Sequence, residues 1–233
     1  MKQINRRTFL KHTSLATGTL AALAPHPRVL GANDDLRVAV VGFNAQGKTH
    51  LRALRELAGV RVVALCDCDR AVLDREIAAA KKRDENVVGY TDIRQLLENK
   101  DVDAITTATP DHWHALATIW ACQAGKDVYV EKPLSYCIRE GRKMVEAARK
   151  YKRIVQVGNA SHDHATGDLA IETEKAGRIR VAYTSLNRLR QTIGKVTADQ
   201  PIPPSIDYNL WLGPAPMGPL RRKNLHYDWH WVW

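Results

Sequence analysis

The chain has 233 residues with 45% hydrophobic side chains, 14 Gly, 10 Pro and 4 Cys, a composition that excludes a disordered, collagenous or disulfide-stapled protein. The formal charge of +10 is the one feature that suggests a nucleic-acid partner, but residues 1–31 carry Lys2, Arg6, Arg7, Lys11 and Arg28 with no acid and account for half of it. The remaining charges are mixed in sign, with no basic run and no zinc-finger or RNA-recognition signature, so nucleic acid is not an expected partner.

Residues 5–11 read NRRTFLK and are followed by the apolar, small-residue run LATGTLAALA at 15–24. That run is too short to span a bilayer, which needs about 20 residues, so no stable membrane anchor is expected. The pair Arg6-Arg7 followed by Phe9, Leu10 and Lys11 resembles a twin-arginine export signal, which implies an exported, periplasmic protein with residues 1–32 as signal and linker.

From residue 36 the pattern alternates. LRVAVV (36–41), an unbroken apolar run, predicts a buried strand, and residues 47–59 with Leu51, Leu54 and Leu57 predict a helix starting near Gln46. VRVVALCD is a second strand, AVLDREIAAAKKR a helix and VVGY (87–90) a third strand. Thr91 or Asp92 caps IRQLLEN, VDAITTAT (102–109) is the fourth strand, and Pro110 opens the next helix as a first-turn proline. DVYVEKP is a fifth strand, Ser135 caps a helix through Lys150 that carries Ile138 and Met144, and RIVQVG (153–158) is a sixth strand. Six strands alternating with helices predict an α/β fold with a doubly wound parallel sheet over 33–158. Residues 165–177 can form one more helix and RIRVAYTSLNR one strand, after which no periodic segment follows. Residues 159–233 therefore read as part of a second domain.

The first strand runs into Gly42-Phe43-Asn44-Ala45-Gln46-Gly47, a G-x-G-x-x-G turn with Asn at the middle position, where a left-handed backbone is tolerated. The following helix offers free N–H groups and a positive dipole end to a pyrophosphate. Asp67 ends the second strand, where an acid accepts hydrogen bonds from the ribose hydroxyls and repels a 2′-phosphate; this favours NAD over NADP, although Arg70 nearby is a residue that could receive that phosphate. Lys132, between Glu131 and Pro133 at the carboxyl end of the fifth strand, could assist proton removal from a substrate hydroxyl.

The close histidine pairs, among them His112 with His114, lack the spacing of a metal site, and no metal is expected. Cys66, Cys68, Cys122 and Cys137 read as free thiols, the last two on helices. Trp211, Trp229, Trp231 and Trp233, with Tyr208 and Tyr227, could stack on a sugar or pack between domains, and His226 and Tyr227 are candidate substrate contacts.

AVVGFNAQG, VALCDCD, ITTATPDHWHALATIWACQAGKDVYVEKPLS, EGRKMVEAARKYKRIVQVGN and DYNLWLGPAP, in that order, resemble the Gfo/Idh/MocA family of NAD(P)-dependent oxidoreductases. The resemblance implies an N-terminal Rossmann domain followed by an α/β domain with an open, mostly antiparallel sheet, of which this chain would hold only the start, and a homo-oligomer in the full-length form. It implies that Ala45 and Gln46 meet the pyrophosphate, Asp67 the ribose, and the Thr109-Pro110-Asp111-His112-Trp113-His114 segment the nicotinamide side. Glu131, Lys132 and Asn159 would complete the pocket, with Lys132 catalytic. The family's partner Asp and His, in a D-x-x-x-H arrangement, have no match between 159 and 233. The implied activity is hydride transfer between nicotinamide and a hydroxyl carbon of a sugar or cyclitol. The alternatives are a glycosidase that recycles bound NAD, or an inactive, truncated NAD-binding module.

Overall fold

The order of the strands sets where anything can bind. In the computed structural model, which describes residues 35–158 and 196–226, β1 (Leu36–Val41), β2 (Val60–Cys66), β3 (Val88–Tyr90), β4 (Ala104–Thr107), β5 (Asp127–Val130) and β6 (Val155–Val157) form one parallel sheet in the order β3-β2-β1-β4-β5-β6. The chain runs outward from β1 to β3, crosses the sheet, and resumes at β4 beside β1. The loops after β1 and β4 therefore leave in opposite directions and open a crevice at the carboxyl edge.

Five helices cover the sheet: α1 (Gln46–Glu56), α2 (Arg70–Lys82), α3 (Ile93–Glu98), α4 (Asp111–Gln123) and α5 (Ile138–Tyr151). Val40, Leu65 and Val62 pack with Leu51 of α1 and Val72 and Leu73 of α2 on one face. Ala39, Val41, Ala64 and Ile105 pack with Leu96 of α3, Ala117 and Ala121 of α4 and Met144 of α5 on the other. Burial on both faces is why these strands read as continuous apolar runs. The pairing of β1 with β2 slips by one residue at Val38/Ala39, and that slip lets Val62 and Leu65 share a face despite odd spacing.

The caps correct several local expectations. Asp92 caps α3 by accepting from Arg94 N at 2.8 Å, as its position predicts. Ser135 does not cap α5. Cys137 is the N-cap residue without a side-chain bond, Ser135 Oγ instead donates to the Cys137 carbonyl at 2.9 Å, and the Glu140 carboxylate accepts from Tyr136 N at 3.1 Å. Cys137 thus lies before the helix rather than on it, and Ile138, the first helical residue, is 93% exposed instead of joining the core. Pro110 sits one position ahead of the first turn, as the N-cap of α4. A short helix that the hydrophobic pattern misses, α6 (Tyr208–Leu212), is capped by Asp207, which accepts from Leu210 N at 3.0 Å. The predicted helix at 165–177 and strand at 178–188 lie outside the described residues.

At the amino edge, Arg37 grips Asp103 with Nε and Nη2 at 2.9 and 2.8 Å and Asp101 with Nη1 at 2.7 Å, and Lys126 Nζ donates to the carbonyls of Asn99 and Val102. These bonds tie β1, β4 and β5 together at the end away from the crevice. At the crevice, Gly42 takes φ +73° and presses against the Thr109 backbone, and a Cβ at Gly47 would lie 2.1 Å from the Gly42 carbonyl oxygen. Gly47→Ala should therefore destabilise the protein by about 2–3 kcal/mol through overpacking against main chain that cannot give, seen as a lowered midpoint in thermal denaturation.

Candidate functional site

The crevice is a cavity of about 630 Å³, within the usual size of a small-molecule pocket. Its floor is the turn after β1, where Gly42, Phe43, Asn44, Ala45 and Gln46 all face the cavity, while Gly47 lies buried beneath them as the seat of α1. Ala45 is the N-cap of α1 and makes no side-chain cap bond, and the first turn holds no acid. The leading N–H groups of that helix, with its positive dipole end, are thereby suited to a phosphate. The floor fits a pyrophosphate because Gly42 and Gly47 let the turn fold tightly against Thr109 and beneath the helix, leaving main chain to face the cavity.

At the end of β2, the Asp67 carboxylate accepts from Phe43 N at 3.2 Å and from Asp69 N at 3.0 Å, one bond to each oxygen. A carboxylate has about four lone-pair sites, so ribose hydroxyls can use the remainder. Burial pushes the Asp67 carboxyl up from its ordinary value, and the two backbone donors offset that only in part. The neighbouring thiols are shifted the same way. Burial raises Cys66, and burial together with Asp67 pushes Cys68 up to about 12. All four cysteines are unpaired.

The nicotinamide-side residues expected from the sequence come from the loop after β4 and the start of α4. Thr109, Pro110, Asp111, Trp113 and His114 line the cavity. His112 does not line it. Its Nε2 lies 3.1 Å from the Trp211 carbonyl, and burial lowers its pKa. His114 joins two turns, with Nε2 2.9 Å from the Thr109 carbonyl and Nδ1 2.6 Å from that of Pro133. Among the described residues no group of three His, Cys, Asp or Glu side chains is placed to hold a metal ion.

Glu131 and Lys132 follow β5 into the cavity wall, with the Lys132–Pro133 peptide cis. Three donors converge on the Glu131 carboxylate: His50 Nε2 at 2.9 Å and Gln46 Nε2 at 3.2 Å on Oε1, and Lys132 N at 3.1 Å on Oε2. Burial opposes ionisation here, but these bonds win and hold the carboxyl below its usual range. His50 was not legible as a site residue, since one histidine inside an amphipathic helix carries no spacing signal. Asn159 and Tyr227 lie outside the described residues.

Residues 205–226 form a strap that contributes Leu210, Trp211, Leu225 and His226 to the cavity lining. Ile206 bridges to Asp69, Ser205 O accepts from Arg70 N at 2.8 Å, and Asp207 N donates to Cys68 O at 3.1 Å. In its middle, the Trp113 indole N–H donates to the carbonyls of Leu210 and Trp211, and Gly213, at φ +55°, packs so close to the Trp113 ring that a Cβ would come within 2.3 Å of it. Ile206, Trp211, Leu212, Leu220 and Leu225 bury one another in a small core of its own. Trp211 stacks on Tyr208 at 5.7 Å, so it packs, and with Leu210 it also forms part of the cavity wall. His226 closes the strap, its Nε2 2.8 Å from Asp69 Oδ2. Burial alone would raise Asp69, but the bond from His226 leads the interactions that keep it below its ordinary value. This contact sets His226 beside Asp67 and Asp69, with β1 and β4 standing between β2 and the β5 end that carries Lys132.

A family model described as an oxidoreductase family with an NAD-binding Rossmann fold, Gfo/Idh/MocA, matches residues 36–159. A glycosyl hydrolase family 109 protein of Shewanella sp. strain W3-18-1 is 31% identical over 187 residues, covering 70% of this chain and 41% of the relative. The chain thus spans about two fifths of the length of the curated relatives it matches. Among solved structures, the myo-inositol 2-dehydrogenase of Lactobacillus plantarum superposes with a TM-score of 0.55 at 27% identity, over 62% of this chain and 42% of that one. The WlbA dehydrogenase of Chromobacterium violaceum, crystallised with NADH and UDP-GlcNAcA, superposes with a TM-score of 0.57 at 27% identity, over 63% and 41%.

The strap generates a prediction of its own. His226→Ala should free the strap at Asp69 and speed amide exchange within 205–226 by about tenfold, while exchange in β1 and β4 stays unchanged.

Proposed function

We propose, for a chain that belongs to the Gfo/Idh/MocA family of oxidoreductases with its NAD-binding Rossmann fold, that its cavity is the cofactor half of a dehydrogenase acting on a hydroxyl carbon of a sugar or cyclitol. The observation that carries this reading is the convergence on one cavity of the glycine turn, Asp67 and the Glu131-Lys132 pair. When bound, NAD supplies the hydride acceptor. Around it, the turn from Gly42 to Gln46 lets main chain approach the pyrophosphate, and Asp67 accepts from the ribose hydroxyls. Asp69, a second carboxylate at the same end, adds to the repulsion of a 2′-phosphate. Trp113 and Trp211 wall off water, and Lys132 receives the proton of the substrate hydroxyl as it is oxidised. The inositol and sugar-nucleotide dehydrogenases that the fold resembles support a polyhydroxylated substrate.

A second reading has a specific observation in its favour. The curated relatives at 30–31% identity are named glycosyl hydrolase family 109 proteins, which supports a glycosidase whose bound NAD is reduced and reoxidised within each turnover. The two readings share every residue named above. A panel of sugars and glycosides separates them: a dehydrogenase accumulates the near-ultraviolet absorbance of reduced nicotinamide, whereas a recycling glycosidase releases sugar without that change.

We also propose that residues 1–32 direct export by the twin-arginine route, and that residues 159–233 begin a substrate and oligomerisation domain. Fusing 1–32 to a periplasmic reporter, with and without Arg6→Lys and Arg7→Lys, tests the first; export that survives loss of both arginines would refute it.

For the cofactor itself, purified wild-type protein should release NAD on denaturation, identified by mass spectrometry. Asp67→Ala should weaken NAD binding by at least about tenfold and narrow the preference over NADP.

A further inference from the structure

A buried polar chain runs behind the carboxyl edge of β5. His50, on α1, is 9% exposed, and its ring stands edge-on to Tyr129 with centroids 5.4 Å apart. Its Nδ1 lies 2.6 Å from Thr106 Oγ1 on β4, and its Nε2 lies 2.9 Å from Glu131 Oε1. An ionised carboxylate only accepts, so Nε2 carries a proton; in the neutral ring Nδ1 is then a lone pair, which the Thr106 hydroxyl satisfies by donating. Glu131 thereby fixes the tautomer, and Thr106 completes it by donating to the other nitrogen. Gln46, from the phosphate turn, donates to the same carboxylate oxygen, and the other oxygen accepts from Lys132 N. One carboxylate therefore links the phosphate turn, β4 and the backbone of Lys132.

We infer that His50 is a positioning residue for the nicotinamide end of the site: through Nε2–H it keeps the Glu131 carboxylate oriented as a standing negative charge in the cavity wall beside Lys132. The inference rests on the NAD reading above and deepens it. A fixed anion in the wall favours the cationic, oxidised ring over the neutral, reduced one. The site accordingly binds NAD+ more tightly than NADH, by about tenfold more than it would without that charge. With both oxygens engaged by donors, Glu131 holds charge rather than carrying protons, which leaves proton transfer to Lys132.

The ionisable side chains that bear on Glu131 are His50 from α1 and its chain neighbour Lys132. Tyr129 meets the His50 ring, and the His114 nitrogens meet carbonyls only.

The test is calorimetric affinity for NAD+ and NADH at about pH 8 and about pH 5.5, chosen to bracket a buried carboxyl that has lost the His50 donor. Wild type should keep the same preference for NAD+ at both, and His50→Gln, which retains an N–H donor, should follow it. Glu131→Gln should lower the preference about tenfold at both. The double variant His50→Phe with Thr106→Val, which leaves no orphaned hydroxyl, should match wild type at the higher pH and Glu131→Gln at the lower. Overturning results are a Glu131→Gln preference equal to wild type, or a folded double variant whose preference does not change with pH. If the double variant does not fold, Glu131→Gln and His50→Gln decide. Wild-type protein that binds neither dinucleotide would sink the cofactor reading and this role together, whereas binding of both with equal preference in every variant would sink this role alone.

Discussion

The absence of a side chain at one position governs the geometry of this site. Because Gly47 has no Cβ, α1 can settle onto the Gly42 carbonyl at a distance no other residue permits. That approach aims the start of the helix into the crevice and brings its second turn over the ends of β4 and β5. Gln46 and His50, on the helix after β1, then reach Glu131 at the end of β5, with β4 standing between. A wider turn would still leave a parallel sheet with helices on both faces, but the polar chain between Thr106, His50 and Glu131 would not close.

The strap works on a different principle. It carries little regular structure of its own, yet it holds a small apolar core and is pinned at three places, by main-chain bonds to Cys68 after β2 and to Arg70 of α2 and by the Trp113 indole of α4. Asp69 concentrates several of these duties. Its backbone bridges Ile206, one carboxylate oxygen caps α2 through Ala71 N, and the other pairs with His226. The strap is therefore anchored two residues from Asp67, at the edge of the cavity.

The sheet was readable from sequence because strands buried on both faces leave apolar runs, and helices between them leave a different period. The glycine turn was readable because a close backbone approach needs glycine at fixed places, and Asp67 because an acid ending a strand stands at the sheet's carboxyl edge. The cap of α5 was misread because Ser135 looks like a cap at the right distance, whereas its hydroxyl turns to the Cys137 carbonyl instead. α6 escaped notice because five residues are too few to show a period, although Asp207 three positions before Leu210 was an available signal. His50 and Thr106 were invisible for a deeper reason: His50 matters by meeting Glu131 from 81 positions away and Thr106 by meeting His50 from 56, and only the sheet order brings the three together.

On the proposed reading, in which Asp67 repels a 2′-phosphate, the bonds it accepts bear on how cofactor preference can evolve. Its carboxylate receives the N–H of Phe43, inside the phosphate turn, and that of Asp69, the anchor of the strap. A lineage that exchanged Asp67 for a residue tolerant of a 2′-phosphate would also strip a hydrogen bond from each of those neighbours. Drift toward the phosphorylated cofactor is thus an epistatic path, in which the selectivity change and the repair of two adjoining loops have to arrive together.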